Sequence, residues 1–391
     1  PPGEALGLAT ALETVSRDAT TRSWGAVLRT EAAWRVGRVP EMWEASKRAL
    51  AAAKESGNRR MLLDVLMRSP NNGQDHASTL RLAREVGDPA AVAVCLKNLA
   101  VTPLRRADRE RAQAAYAEAL SITGAEMNLR LEAMILVAYS DFSMTVGKPR
   151  SAQDAAERAA QASRSVGNVF LEVAASISHG HSCLELGDLA AAEVALHAAR
   201  RLSVRHGFRV AEAFALNNQG SLALMHGDVQ AARAHHEAVR TICRELEGSR
   251  LDGFSLGCLG RCHAKAGDLP LARASWQTAL ERARAANHGS DQALWLLHLG
   301  EAALSEGALN DAHASLAEGL AVLADSIDDL IHAKLLCARA RLEVARGDRA
   351  AAHATMAALD ALMAPMEVEP SSDLSRRWAE ARAAVDAPAG T

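Results

Sequence analysis

The sequence predicts an all-α solenoid, and three observations carry that prediction. Turn-forming pairs recur every 40 residues, and the runs between them place apolar residues at helical spacing. Hydrophobic residues make up 49% of the 391-residue chain, yet aromatics supply only 3%. Much of the apolar content is Ala, which is too small for a conventional globular core but suits helices whose backbones pack closely. A stack of about nine antiparallel helix pairs satisfies all three.

In chain order, residues 1–88 read as divergent helix pairs. Gly37, Gly57 and Gly87-Asp88 mark two of them, the second with a loop at Ser69-Pro70-Asn71-Asn72-Gly73. Trp24, Trp34 and Trp43 cluster in the first, where they are expected to cap the N-terminal end. Residues 89–364 are regular. Breaks fall at Ala107-Asp108, Gly147-Lys148, Gly187-Asp188, Gly227-Asp228, Gly267-Asp268, Gly307-Ala308 and Gly347-Asp348. A second set lies half a period away, at Gly167-Asn168, Gly207, Gly248 and Asn287-His288-Gly289. Glycine suits these breaks because a residue leaving a helix often turns left-handed. Residues 365–391 read as a linker, a capping helix and a tail. Pro365 and EVEPSSD end the pattern, and Asp373 to Val385 (DLSRRWAEARAAV) opens on a capping Asp.

Two columns of small residues define the pairs. One runs Ala100, Ser140, Gly180, Gly220, Gly260, Gly300, Ala340 in the first helices. The other runs Ala112, Ala152, Ala192, Ala232, Ala272, Ala312, Ala352 in the second. A bulky column, Tyr116, Leu196, Trp276, Leu316 and Met356, follows four residues later. Leu259-Gly260 with Ala272 and Trp276 resembles the tetratricopeptide repeat, as does Leu299-Gly300 with Ala312. The period is longer than that family's usual length of about 34 residues. Long-helix versions are similar to the sensing arms of MalT-like and other ATP-dependent LuxR-type regulators. The resemblance implies a right-handed superhelix with first helices lining its concave surface.

Composition and motifs narrow the function. The formal net charge is −3, and Arg and Lys are evenly spread, so direct nucleic-acid binding is not expected. No long apolar run and no basic leader occur, and the chain is expected to be soluble, cytoplasmic and free of membrane. Six scattered cysteines fit a reducing compartment. The chain begins without Met, which suggests a piece of something longer. There is no G-x-x-x-x-G-K-[ST], H-E-x-x-H, C-x-x-C or G-x-S-x-G motif, and neither cofactor nor metal is expected. His179, His181 and Cys183 tempt as a metal site, but helix positions two apart diverge by about 200°. Cys258 and Cys262 share a helix side, yet two further ligands have no fitting address. His235 and His236 are expected to face outward or pack between repeats.

In the repeat this chain resembles, the concave face uses positions flanking the small column, and the resemblance implies the candidate ligand contacts there. One residue after it stand Asp141, His181, Ser221, Arg261, Glu301 and Arg341, a mix of acid, base and hydroxyl at equivalent addresses. Three residues before it stand Lys97 and Asn217, and Asn218 and His298 occupy the next position on. An amide side chain both donates and accepts, so Asn217 and Asn218 are placed to clamp a peptide backbone. The alternative is that one of them caps a neighbouring carbonyl. Trp295 and Phe254 are either apolar anchors or core. Variation on a repeating scaffold suits recognition of one partner.

The predicted function is a non-catalytic binding module, the effector- or partner-sensing arm of a bacterial regulator. Its groove would take a peptide or protein partner or a small-molecule effector, with self-association also open. A free-standing adaptor is the alternative. An enzyme would need a pair such as His181–Asp141 or Glu301–Arg261, for which ion pairing between repeats is simpler.

Overall fold

Each Gly-Asp pair ends one helix and starts the next. Gly187 sits at φ +79°, beyond the reach of most L residues, and its N–H caps the preceding helix. Asp188 then accepts a hydrogen bond from the Ala191 N–H, at 3.1 Å, and opens the following helix. Asp228, Asp268 and Asp348 repeat this cap, and Asn128 and Asn168 serve it at the intervening turns. At the break predicted around Gly289 the left-handed residue is Asn287 (φ 52°), while Gly289 already belongs to a helix.

The computed structural model describes residues 2–35, 38–68, 76–101, 108–246 and 250–387. Gly37, the Ser69–Gly73 loop, Ala107, Gly248 and the Trp34 side chain lie outside the described residues. The helices in order are α1 (Pro2–Val15), α2 (Ala19–Arg35), α3 (Val39–Ser56), α4 (Arg59–Arg68), α5 (His76–Val86), α6 (Pro89–Val101) and α7 (Arg109–Ala125). The regular pairs follow: α8 (Leu129–Thr145) with α9 (Pro149–Ser165), α10 (Val169–Leu186) with α11 (Leu189–His206), and α12 (Arg209–Met225) with α13 (Val229–Glu245). Then come α14 (Arg250–Lys265) with α15 (Leu269–Ala285), α16 (Gly289–Ser305) with α17 (Leu309–Val322), and α18 (Asp329–Ala345) with α19 (Arg349–Met363). A last helix, α20 (Asp373–Asp386), follows a linker. Among the described residues there is no β-strand, and no helix is long and apolar enough to cross a membrane. The fold is an α-solenoid of helix pairs from α2/α3 to α18/α19, flanked by α1 and α20.

The small columns are where the two helices of a pair cross. A Cβ added at Gly260 would stand 2.6 Å from Trp276 Nε1 and 3.1 Å from the Ala272 carbonyl oxygen. Where serine replaces glycine, it uses the proximity: Ser140 Oγ donates to the Ala152 carbonyl at 2.8 Å. Every member of the alanine column is buried. The core is therefore a string of interfaces, each filled by the bulky column and its neighbours. One example is the ring cluster Tyr116, Tyr139 and Phe142 between α7 and α8, with centroids 5.4 to 6.2 Å apart.

The bulky column includes His236, which the sequence pattern left on an outer or inter-repeat face. Its ring is fully buried and packs on Gly220 as Leu196 packs on Gly180. At the N-terminal end Trp24 is 37% exposed and Trp43 is half-buried.

The solenoid curls until its last helices meet α7 to α10. Arg109 at the start of α7 pairs with the buried Asp329 at the start of α18. Ile327 joins the core formed by α6, α7 and α8. Lys334 of α18 lies 3.3 Å from Glu185 of α10, although 149 residues separate them. First helices α8, α10 and α18 thus meet on the inner side of this curl, the channel. Helix α20 does more than cover the array's end. Leu374, Ala381 and Val385 pack on α18 and α19, and Arg377 reaches Glu301 on α16.

Candidate partner-binding face

A first helix sandwiched between neighbours leaves one stripe open to the channel. In α18 that stripe contains Lys334, whose ammonium crosses to Glu185. Stepping by 40 residues places Phe214 at the same address on α12, where it is 45% exposed. Asn218, Ser221 and Met225 continue the same stripe toward the C-terminal end of α12.

Toward the N-terminal side, Asp141 on α8 accepts a hydrogen bond from Ser178 Oγ on α10 at 3.1 Å. Asp141 is open to the channel, yet the protein mass around it raises its pKa by desolvation, which the Ser178 bond and nearby His181 only partly oppose. His181 is exposed beside it. Cys183 instead turns inward, fully buried, and accepts from Gln153 Nε2 at 3.2 Å, so the H-x-H-x-C run diverges as helix geometry requires.

In the middle of the array, Asn217 is 5% exposed and its Oδ1 has no hydrogen-bond donor among the described residues. Arg261 on α14 is half-buried and has no carboxylate partner among the described residues. Its charge adds to the burial that lowers the pKa of His236 and His298. Cys258 does not border the groove as its column suggested. Both Cys258 and Cys262 are fully buried, and burial pushes the Cys258 thiol up to about 11, which leaves it inert as a nucleophile.

At the C-terminal side the predicted contacts are already engaged. His298 stacks on Trp276, with centroids 5.3 Å apart and planes at 17°, and its Nδ1 lies 3.7 Å from Glu301. Burial would raise the Glu301 pKa, but the His298 hydrogen bond and the Arg377 guanidinium outweigh it and hold the carboxyl down at about 2. Glu301 therefore pairs with α20 and His298, not with Arg261 in the neighbouring repeat. Arg341 lies 3.8 Å from Glu380 of α20. Lys97 stands apart on α6, half-buried, with burial lowering its pKa.

Of the predicted contacts, His181, Asn217, Asn218, Ser221 and Arg261 are free of ion pairs among the described residues, and Asp141 bonds Ser178 beside His181. It turns His298, Glu301 and Arg341 toward the chain's own C-terminal helix. Trp295 is fully buried against Gly257, and Phe254 packs on it at 5.2 Å, so both are core. Phe214, one 40-residue step before Phe254, is instead 45% exposed and shares the open stripe with the exposed Met225.

No family model and no curated protein matches the chain. Among solved structures it is similar to the Rap protein complexed with competence and sporulation factor (TM-score 0.57, 11% identity, 94% of this chain and 99% of that one). It is also similar to the Rap conjugation gene regulator of plasmid pLS20 in complex with the Phr* peptide (0.55, 12%, 100% and 98%). A third is the signal transduction ATPase with numerous domains from Pyrococcus horikoshii, which carries a tetratricopeptide repeat sensor (0.51, 10%, 90% and 54%). At these identities the likeness is one of fold, and that fold is the tetratricopeptide-like helical solenoid.

Proposed function

We propose that the chain is a non-catalytic binding module, the sensing arm of a bacterial signalling or transcriptional regulator, and that its inner face takes an extended peptide. The observation that carries this reading is the middle of the channel. Among the described residues Arg261 has no counter-ion and Asn217 Oδ1 has no donor, and Phe214 stands exposed on the same helix as Asn217. A buried amide oxygen without a partner is costly, and the half-buried Asn218 beside it offers an amide that both donates and accepts, as a peptide backbone requires. Phe214 offers an apolar anchor and Arg261 a cationic one, the mixture that peptide grooves use. Peptide complexes of similarly folded proteins support the reading, and the repeat sensor of the signal transduction ATPase supports the place of such an arm in a larger regulator.

Selection of a random peptide library on the immobilised chain tests this. Enriched peptides should lose roughly tenfold affinity with Arg261→Ala and with Asn217→Ala, about 1.4 kcal/mol for each lost hydrogen bond to a peptide. Helicity should not change. Binding indifferent to both substitutions, measured by calorimetry, would remove the inner face from consideration.

A further inference from the structure

The linker between α19 and α20 crosses from the end of the array to the rim made by the turns after α8 and α10. Its contacts there form a connected set. The Glu367 N–H donates to the Gly147 carbonyl at 2.9 Å. Its carboxylate accepts from the Ser151 N–H at 2.8 Å and from Ser151 Oγ at 2.6 Å, in the first turn of α9. Arg150 donates to Glu369 at 2.5 and 3.1 Å. Ser371 Oγ donates to the Leu186 carbonyl at 2.7 Å, and Lys334 holds Asp373 at 3.5 Å. Met366 covers Gly147, where a Cβ would collide with it and where φ of +72° already favours glycine.

We infer that this rim is a recognition site for an extended acidic peptide, occupied here by the chain's own residues 366–372, which thereby clasp one turn of the solenoid shut. The inference deepens the peptide-binding reading without using the same residues. The bound segment defines the ligand chemistry. A glutamate caps the positive end of α9 through its first-turn N–H, a second acid two residues on meets Arg150, and a hydroxyl closes on a free helix-end carbonyl. One backbone–backbone bond and two side chain–backbone bonds fix the segment's direction along the rim.

The clasp is built to exchange. Its contacts are polar and largely solvent-accessible, with Arg150 60% and Glu369 28% exposed at the side chain, and such pairs are individually weak. Helix α20, in contrast, is anchored by Leu374, Ala381 and Val385 in an apolar core. Release at the rim therefore leaves α20 docked and frees the turns of α8 and α10, with Pro365 just before the moving segment and Pro370 within it.

The test uses the full chain carrying Glu367→Ala and Glu369→Ala. Hydrogen exchange at the Ser151 amide should rise roughly tenfold or more, because that N–H loses its acceptor. Circular dichroism should stay unchanged. A synthetic peptide of sequence MEVEPSSD, added in trans, should restore Ser151 protection in this variant, and the same peptide with both glutamates replaced by alanine should not. Unchanged exchange at Ser151, or protection that the wild-type peptide fails to restore, overturns the inference. Neither readout involves Arg261 or Asn217, so failure here leaves the inner-face reading standing, and the reverse holds too. Ser151→Ala, which leaves the strap's sequence intact, should weaken rescue by the peptide in the same background.

Discussion

Trp276→Ala should destabilise the middle of the array by about 3–5 kcal/mol, the largest single-residue effect expected in this chain. Trp276 is 3% exposed, lies over Gly260, stacks on His298 and donates its Nε1–H to the Gly257 carbonyl at 3.0 Å. It thus ties α15 to both α14 and α16. Because repeats of a solenoid hold mainly their neighbours, loss of this residue should split urea unfolding, followed by circular dichroism, into two phases. Phenylalanine separates the hydrogen bond from the ring. Trp295 is fully buried too, but its Nε1–H has no acceptor among the described residues. Trp276→Phe should therefore cost more than Trp295→Phe by about 2 kcal/mol, since one change breaks a bond and the other removes an unpaired donor. Equal costs would mean that ring volume alone decides both positions.

The period made the helix pairs, their turns and both small columns legible, because each is dictated by a contact within one repeat. Gly260 must be small since Trp276 and the Ala272 carbonyl stand over it, and both lie within the next sixteen residues. Asp141, His181, Ser221 and Arg261 share one address for the same reason, being spaced by 40 residues. What stayed hidden depends on curvature. Nothing local to Glu301 indicates that Arg377 will reach it, or that Lys334 will meet Glu185 across the channel. These meetings arise from small rotations summed over five pairs, which the chain encodes only in the detailed shape of each interface. The segment EVEPSSD read as a polar linker because its partners, Gly147, Arg150, Ser151 and Leu186, lie a full turn of the solenoid away. His236 is a different case. The 40-residue step from Leu196 assigns it to the bulky column, an address that the expected outer or inter-repeat placement did not use.

That address makes His236→Leu the substitution expected to stabilise most. Leucine fills the same place in the neighbouring array, as Leu196 over Gly180 and Leu316 over Gly300, so the shape is compatible. His236 has neither ring nitrogen hydrogen-bonded among the described residues. Burial first, and then the Arg261 charge, push its pKa from 6.5 down to about 3. The folded chain therefore keeps the ring neutral, while the unfolded chain takes up a proton as pH falls through 6.5. This group's contribution to stability is whole above pH 6.5 and is lost between there and pH 3, by about 1.4 kcal/mol per pH unit. Leucine removes that loss and the burial of two unpaired nitrogens together. The variant should gain about 1–2 kcal/mol at pH 7 and roughly 2 more at pH 5, read from urea midpoints at the two pH values. Carboxylates such as Glu301 titrate in both proteins alike, so the difference between the two chains isolates His236. A gain that is the same at pH 5 as at pH 7 would mean that the ring accepts its proton inside the fold, with Arg261 moving away to admit it. In that event His236 would join Arg261 as part of the inner face's charge, and acid would alter what that face can bind.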